Sequence, residues 1–194
     1  MNLSKHIYPA VALTIVLTVL TGIIYPFVVT GFSELLFKEK ARGSLIEREG
    51  RVIGSRLIGQ PFKGPGYFHS RPSAAGSGYD STASGGTNLG PTSKQLFEGQ
   101  VRERSKQLRT ENPSVEIPID LVTSSGSGLD PHISPAAAEF QVPRVARERR
   151  MSEDKLKQLV QEHTEGRQFG FLGELRVNVL ELNLALDEAS RKGK

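Results

Sequence analysis

Cysteine is absent from the 194 residues. That removes disulfide scaffolds, thiolate zinc sites and cysteine nucleophiles together. It leaves the redox compartment open, since a cysteine-free chain suits either side of a membrane. An excess of one charge is missing too: 25 Lys and Arg face 21 Asp and Glu. The net +4 is too mild to argue for nucleic acid as a partner. The four histidines, His6, His69, His132 and His163, show no i,i+4 pair and no HExxH motif, so no metal site is read from them. Glycine and proline, by contrast, are plentiful at 20 and 11, a loop-rich composition.

No charged side chain occurs from Ile7 to Ser33. As a helix this run spans about 40 Å, more than the ~30 Å hydrocarbon core. Tyr8, Tyr25, Phe27 and Phe32 place rings near its ends, where interfacial belts form. A cleaved signal peptide would need a shorter apolar region and a small-residue cleavage site. We therefore expect an uncleaved transmembrane helix over residues 1–33 and a second region over 34–194. Lys38, Lys40, Arg42, Arg48 and Arg51 follow the helix, yet long domains translocate regardless of such charge, so the residues leave the side undecided. Thr14, Thr18, Thr21 and Tyr25 share one helical face, with Gly22 beside it. That face suits a partner helix, although threonines also bond their own preceding turn and face lipid.

Beyond the helix, Ser44–Gln60 has two apolar-rich runs around Glu49-Gly50, which predicts a β-hairpin. Residues 61–91 hold seven of the glycines, a linker-like composition. Phe62, Tyr67, Phe68 and Tyr79 are interleaved there with few charges, so a packed, ordered loop is expected. Thr92 and Gln95 fit a capping box for a helix to Arg109 that buries Phe97, Val101 and Leu108. Ile119–Thr123 reads as a short strand. Ser134-Pro135 caps a helix through Phe140 that Pro143 kinks or restarts. Ser152 caps the next, ending near Gly166. Leu175–Leu180 alternates as a strand, and Leu184–Ala189 forms a last short helix. The fold class expected is an α+β soluble domain following a single N-terminal transmembrane helix.

Chemical motifs are sparse. Gly85 and Gly90 have P-loop spacing, but Pro91 and Thr92 stand where Lys and Ser/Thr are required, so the P-loop fails. Ser152 and Lys155 match S-x-x-K, a serine–lysine nucleophile pattern that leaves a membrane-anchored Ser/Lys hydrolase as a further alternative, yet Ser152 is already accounted for as a cap and no supporting motif accompanies it. Asp130 and His132 suggest a ligand or acid/base pair, but an Asp before Pro131 is first a turn former. The basic runs Arg102, Arg104, Lys106, Arg109 and Arg144–Arg150 are broken by Glu103 and Glu148. They read as solvated faces or the rim for a protein partner.

Several strings together resemble one family: GSRLIGQPF from Gly54, YFHSRPSA from Tyr67, YDSTASGGTNLGPTSKQL from Tyr79, DLVTSSGSGLDPHISPAAAEFQVPRVA from Asp120 and RVNVLELNLALD from Arg176. They are similar to the C subunit of the bacterial Kdp potassium-transporting ATPase. The motif loop comprises Ser84, Gly85, Gly86, Thr87, Asn88, Gly90 and Pro91, with Thr87 where the family has serine. The resemblance implies a non-catalytic accessory subunit of an ATP-driven, high-affinity potassium uptake complex in the bacterial inner membrane. Its partners would be a potassium-translocating subunit, a P-type catalytic subunit that carries hydrolysis, and membrane lipid. It also implies a catalytic chaperone that raises the ATP affinity of the catalytic subunit. No cofactor would be firmly bound; ATP would be held in a transient ternary complex, with Gln141 as the nucleotide contact. The resemblance further implies a cytoplasmic N-terminus and an extracytoplasmic domain, at odds with contact to cytoplasmic ATP. The alternative is a cytoplasmic-facing nucleotide-binding regulatory subunit.

Overall fold

A computed structural model describes residues 4–192. The chain divides into two compact units, Met1–Val52 and Ile53–Lys194.

The first unit is dominated by α1, a continuous helix Lys5–Leu36 with mean hydropathy 2.3 and none of its apolar window buried within the chain. It is regular over Ser4–Val19, π-helical over Leu20–Ile24 and regular again over Tyr25–Leu36. Pro26 accounts for the wide turn. It has no N–H for the Gly22 carbonyl and its ring crowds that oxygen, so the preceding turn opens. A short α2, Lys38–Ala41, comes after a break at Phe37. The expected hairpin is present as β1, Leu45–Arg48, and β2, Arg51–Ser55. Glu49 and Gly50, at φ +52° and +74°, form the tight turn with both central residues left-handed that hairpin twist favours.

In the second unit residues 61–91 hold no helix or strand, yet Phe68 and Ala75 are fully buried. The packed loop is thus confirmed for its first two-thirds. The helix after it, α3, is π-helical over Gln95–Val101 and regular over Arg102–Glu111. Ser93, not Thr92, meets its first turn, with Oγ accepting from the Leu96 N–H at 3.4 Å. Leu108 packs on the core, but Phe97 is half exposed, against expectation. Ile119–Leu121 is a 3₁₀ turn rather than a strand, because Asp120 turns inward to bond the Ser134 N–H at 2.7 Å.

Helix α4, Pro135–Arg149, starts at the Ser134 cap, whose Oγ accepts from the Ala137 N–H at 3.1 Å. It runs through Pro143 without restarting. Packing on both sides, through Val142 and Val145 at 0% exposure, outweighs the one backbone bond that proline removes. Helix α5, Glu153–Glu162, has the expected Ser152 cap and stops earlier than Gly166, as Thr164–Glu165 forms strand β4. The sheet is antiparallel in the order β3-β5-β4. Strand β3 is His132–Ile133 and β5 is Arg176–Asn178. Val177 at its centre pairs with Ile133 and Thr164. The last helix, α6, spans Val179–Lys192, longer than the expected Leu184–Ala189. Asn178 starts it: its Oδ1 accepts from the Glu181 N–H at 3.2 Å. Leu156, Val160, Leu182 and Leu186 join α4, α5 and α6 to the sheet in one core.

Candidate functional site

A buried loop backbone has polar groups that must find partners. Residues 65–69 have no ladder to join, and side chains of α4 and α6 supply the partners instead. Arg144 Nη1 donates to the carbonyls of Pro65 and Tyr67, the latter at 2.9 Å. Arg149 Nε donates to Gly66 O at 2.7 Å. The Asn183 amide closes on both ends of Phe68: its Oδ1 accepts from the N–H at 2.9 Å and its Nδ2 donates to the C=O at 2.9 Å. Gln141 does the same at His69, accepting from the N–H at 2.8 Å and donating to the C=O at 3.1 Å. Two carboxamides thus imitate a strand edge for consecutive residues, and this orders the glycine-rich segment without a sheet.

Gln141, 2% exposed, also donates to Ala137 O at 3.1 Å and accepts from Arg144 Nη2 at 2.7 Å. An amide offers two N–H groups and two lone pairs, and all four are used. Arg144 completes its own shell with Glu111 Oε2, 2.9 Å from Nε. It is therefore buried, correcting the solvated or rim reading at that position. Arg149 lies 4.3 Å over the Tyr67 ring and 2.9 Å from Asp187, to which Tyr67 also donates at 3.3 Å.

Between this strapped segment and α3 opens a cleft of about 670 Å³, lined by Lys63, His69, Arg71, Tyr79, Arg104 and Glu111, with the Gln141 side chain also reaching it. The Tyr79 hydroxyl donates to Arg71 O, and burial pushes that phenol up. Arg104 donates to Val122 O at 2.9 Å. Burial first, and the nearby Arg144 guanidinium second, hold the His69 ring below its ordinary 6.5, despite the 3.0 Å contact of Nε2 with Gly64 O. A histidine whose folded pKa is lowered adds stability above 6.5 that is lost as pH falls through the folded value. Acidification from about pH 7 to about pH 5 is therefore expected to destabilise the wild type more than His69→Gln in urea unfolding at both pH values.

The motif loop divides in two. Ser84 Oγ donates to Ser127 O at 3.0 Å and the Gly85 N–H to the same oxygen at 2.9 Å. A Cβ on Gly86 would stand 3.0 Å from Gly126 O, and one on Gly128 would stand 2.7 Å from Gly85 O. The two Gly/Ser runs therefore lie too close for side chains between them. Thr87 is half-buried, while Asn88, at φ +52°, Gly90 and Pro91 are exposed.

Asp130 serves a turn: its Oδ1 accepts from the His132 N–H at 3.0 Å. Burial alone would raise its pKa, but the bonds from His132 and the charge of Arg71 outweigh it and hold the carboxyl below 3.8. No group of three or more His, Asp or Glu among the described residues is placed to hold a metal ion. Ser152 Oγ accepts from the backbone N–H of Lys155 at 3.4 Å, as a cap does. In α1, Thr14 and Thr21 donate to Ala10 O and Leu17 O at 2.8 and 2.7 Å. Thr14 and Thr18 stay aligned, but the π turn between Thr18 and Tyr25 rotates the C-terminal half of the helix by about one residue step. Tyr25 turns off their line. A Cβ on Gly22 would meet nothing within 4 Å.

Sequence reasoning missed Asn183 and the burial of Arg144. For Asn183 a signal existed: a lone carboxamide inside the apolar run LELNLAL. Arg144 stands beside Arg147, Arg149 and Arg150 and carried none.

Comparison with known proteins places these features in a family. The model of the family described as "K+-transporting ATPase, c chain" matches residues 7–188. A potassium-transporting ATPase KdpC subunit of Koribacter versatilis is 59% identical, over 95% of this chain and 95% of its own. One of Bradyrhizobium diazoefficiens is 52% identical over 97% and 99%, and one of Methylococcus capsulatus 55% over 94% and 97%. The strapped loop, its glycine contacts and the apolar N-terminal helix are thus those of a chain that belongs to the K+-transporting ATPase c chain family, the KdpC subunits.

Proposed function

We propose that this chain is a non-catalytic, single-pass subunit that stabilises an assembled potassium-transporting ATPase and caps it with an extracytoplasmic domain. The potassium-translocating and P-type catalytic subunits are its partners, and hydrolysis belongs to the latter. The observation that carries the reading is α1: thirty-two residues, apolar, and with 0% of its window buried against the rest of the chain. A helix hydrophobic all round needs lipid or other helices as its environment. Thr14 and Thr18, with Thr21 and Gly22 at the π turn, supply small groups for close helix approach, and Tyr25 beyond that turn adds an interfacial ring off their line.

A cytoplasmic regulator whose Gln141 contacts ATP is the competing reading. We place Gln141 instead as a positioning residue, because both ends of its amide are taken up by His69, Ala137 and Arg144. A nucleotide would have to displace bonds that hold the loop. Deleting Met1 to Gly31 tests the anchoring role. The shortened chain is expected to fold and to be lost from co-purification with the other subunits. Co-purification at the wild-type level would refute it.

A further inference from the structure

Helix α3 has two unlike faces. Gln100, Arg104, Leu108 and Glu111 fall on the side that meets the cleft and the core, as Arg104 and Leu108 show by their contacts. The outer side next to it has less cover. Phe97 is 50% exposed, Val101 is half-buried, and no residue of either segment of the helix is fully buried. The two apolar side chains lie in a shallow groove of about 430 Å³ bordered by Glu98, Arg102, Lys106 and Arg109.

Charge decides what the groove fits. Glu103 is 3.8 Å from Lys106 and offsets that ammonium, whereas Arg102 and Arg109 are exposed with no carboxylate partner among the described residues. Glu98 is the one carboxylate on the border, against Arg102, Lys106 and Arg109, so the border stays net cationic and complements an apolar anchor flanked by carboxylates. The apolar patch is two side chains wide, too small for a helix lying in a bilayer interface, which needs a long apolar face. The groove also lies at the π-helical stretch Gln95–Val101. Such turns cost regular bonding and gather at functional sites.

From the exposed Phe97 and Val101 between Arg102 and Arg109, we infer that the outer face of α3 docks an acidic segment of another subunit, with an apolar side chain seated between them. This rests on the subunit role proposed above. The partner's acidic residues would pair with Arg102 and Arg109 in bidentate fashion.

The test uses the whole complex, purified with this chain carrying photo-reactive benzoyl-phenylalanine at position 97. Illumination is expected to cross-link it to a different subunit, at a peptide containing Asp or Glu. The yield should fall as salt rises, and at least about tenfold in the Arg102→Glu/Arg109→Glu background, where like charges face each other. Arg102→Gln/Arg109→Gln, which is milder on folding, should give a smaller loss in the same direction. Cross-links only to lipid, only to a second copy of this chain, or absent altogether would overturn the docking role. So would a yield indifferent to both charge variants. If the chain still co-purifies in those cases, the groove is wrong and the subunit role stands. A wild-type chain that does not co-purify overturns both.

Discussion

Arg144→Ala is expected to cost about 3–5 kcal/mol of unfolding free energy, the range for removing one partner of a buried ion pair. The side chain is 7% exposed and sits 2.9 Å from Glu111. It also satisfies the carbonyls of Pro65 and Tyr67 and the Gln141 oxygen. Truncation leaves a carboxylate, two loop carbonyls and an amide oxygen short of partners, each with a desolvation cost set by its burial. Arg144→Lys should recover little, because one ammonium cannot reproduce a planar fork aimed at four acceptors. Urea unfolding of the detergent-purified protein reads the loss. Hydrogen exchange should locate it first in residues 61–80, which have no ladder of their own. A cost near that of a surface charge, under about 1 kcal/mol, would mean the loop is held by other contacts.

The second large effect is expected at the two carboxamides. Asn183→Ala strands both the N–H and the C=O of Phe68, and Gln141→Ala those of His69. At ~1–3 kcal/mol for each group left unpaired, every single variant should lose about 2–6 kcal/mol. Asn183→Ala and Arg144→Ala act on the N–H and the C=O of the same Tyr67–Phe68 peptide and should depart from additivity. Gln141→Ala and Arg144→Ala share the 2.7 Å bond and should fall short of their sum in a double-mutant cycle. A Gln141→Ala protein with wild-type unfolding and unaltered exchange at His69 would remove the positioning role and return the residue to ligand contact.

Local chemistry is readable from the residues alone. The Glu49-Gly50 turn and the Ser134 and Ser152 caps each depend on neighbours a few positions away, and each stands where the spacing places it. The readings that fail depend on partners far along the chain. Asp120 makes a turn of an apparent strand because Ser134 waits for its carboxylate. Pro143 fails to interrupt α4 because core contacts on both sides hold the helix. Periodicity puts Phe97 inside, yet the π turn and the charged border leave it out. Deepest of all, the loop at 61–91 is legible as ordered, but the cause of its order is not. That order comes from Gln141 and Asn183, 72 and 115 positions from the residues they hold. No local pattern carries a bond of that span.

The cleft and the strapped loop lie on whichever side of the membrane the domain occupies, and the proposed cap requires the outer side. Two reporters fused in turn to the C-terminus of the full chain decide this directly: alkaline phosphatase, active only outside the cytoplasm, and a fluorescent protein that matures only inside. An active phosphatase and a dark fluorescent fusion are expected. Bright fluorescence with an inactive phosphatase would contradict the cap and place the domain on the side where ATP is found.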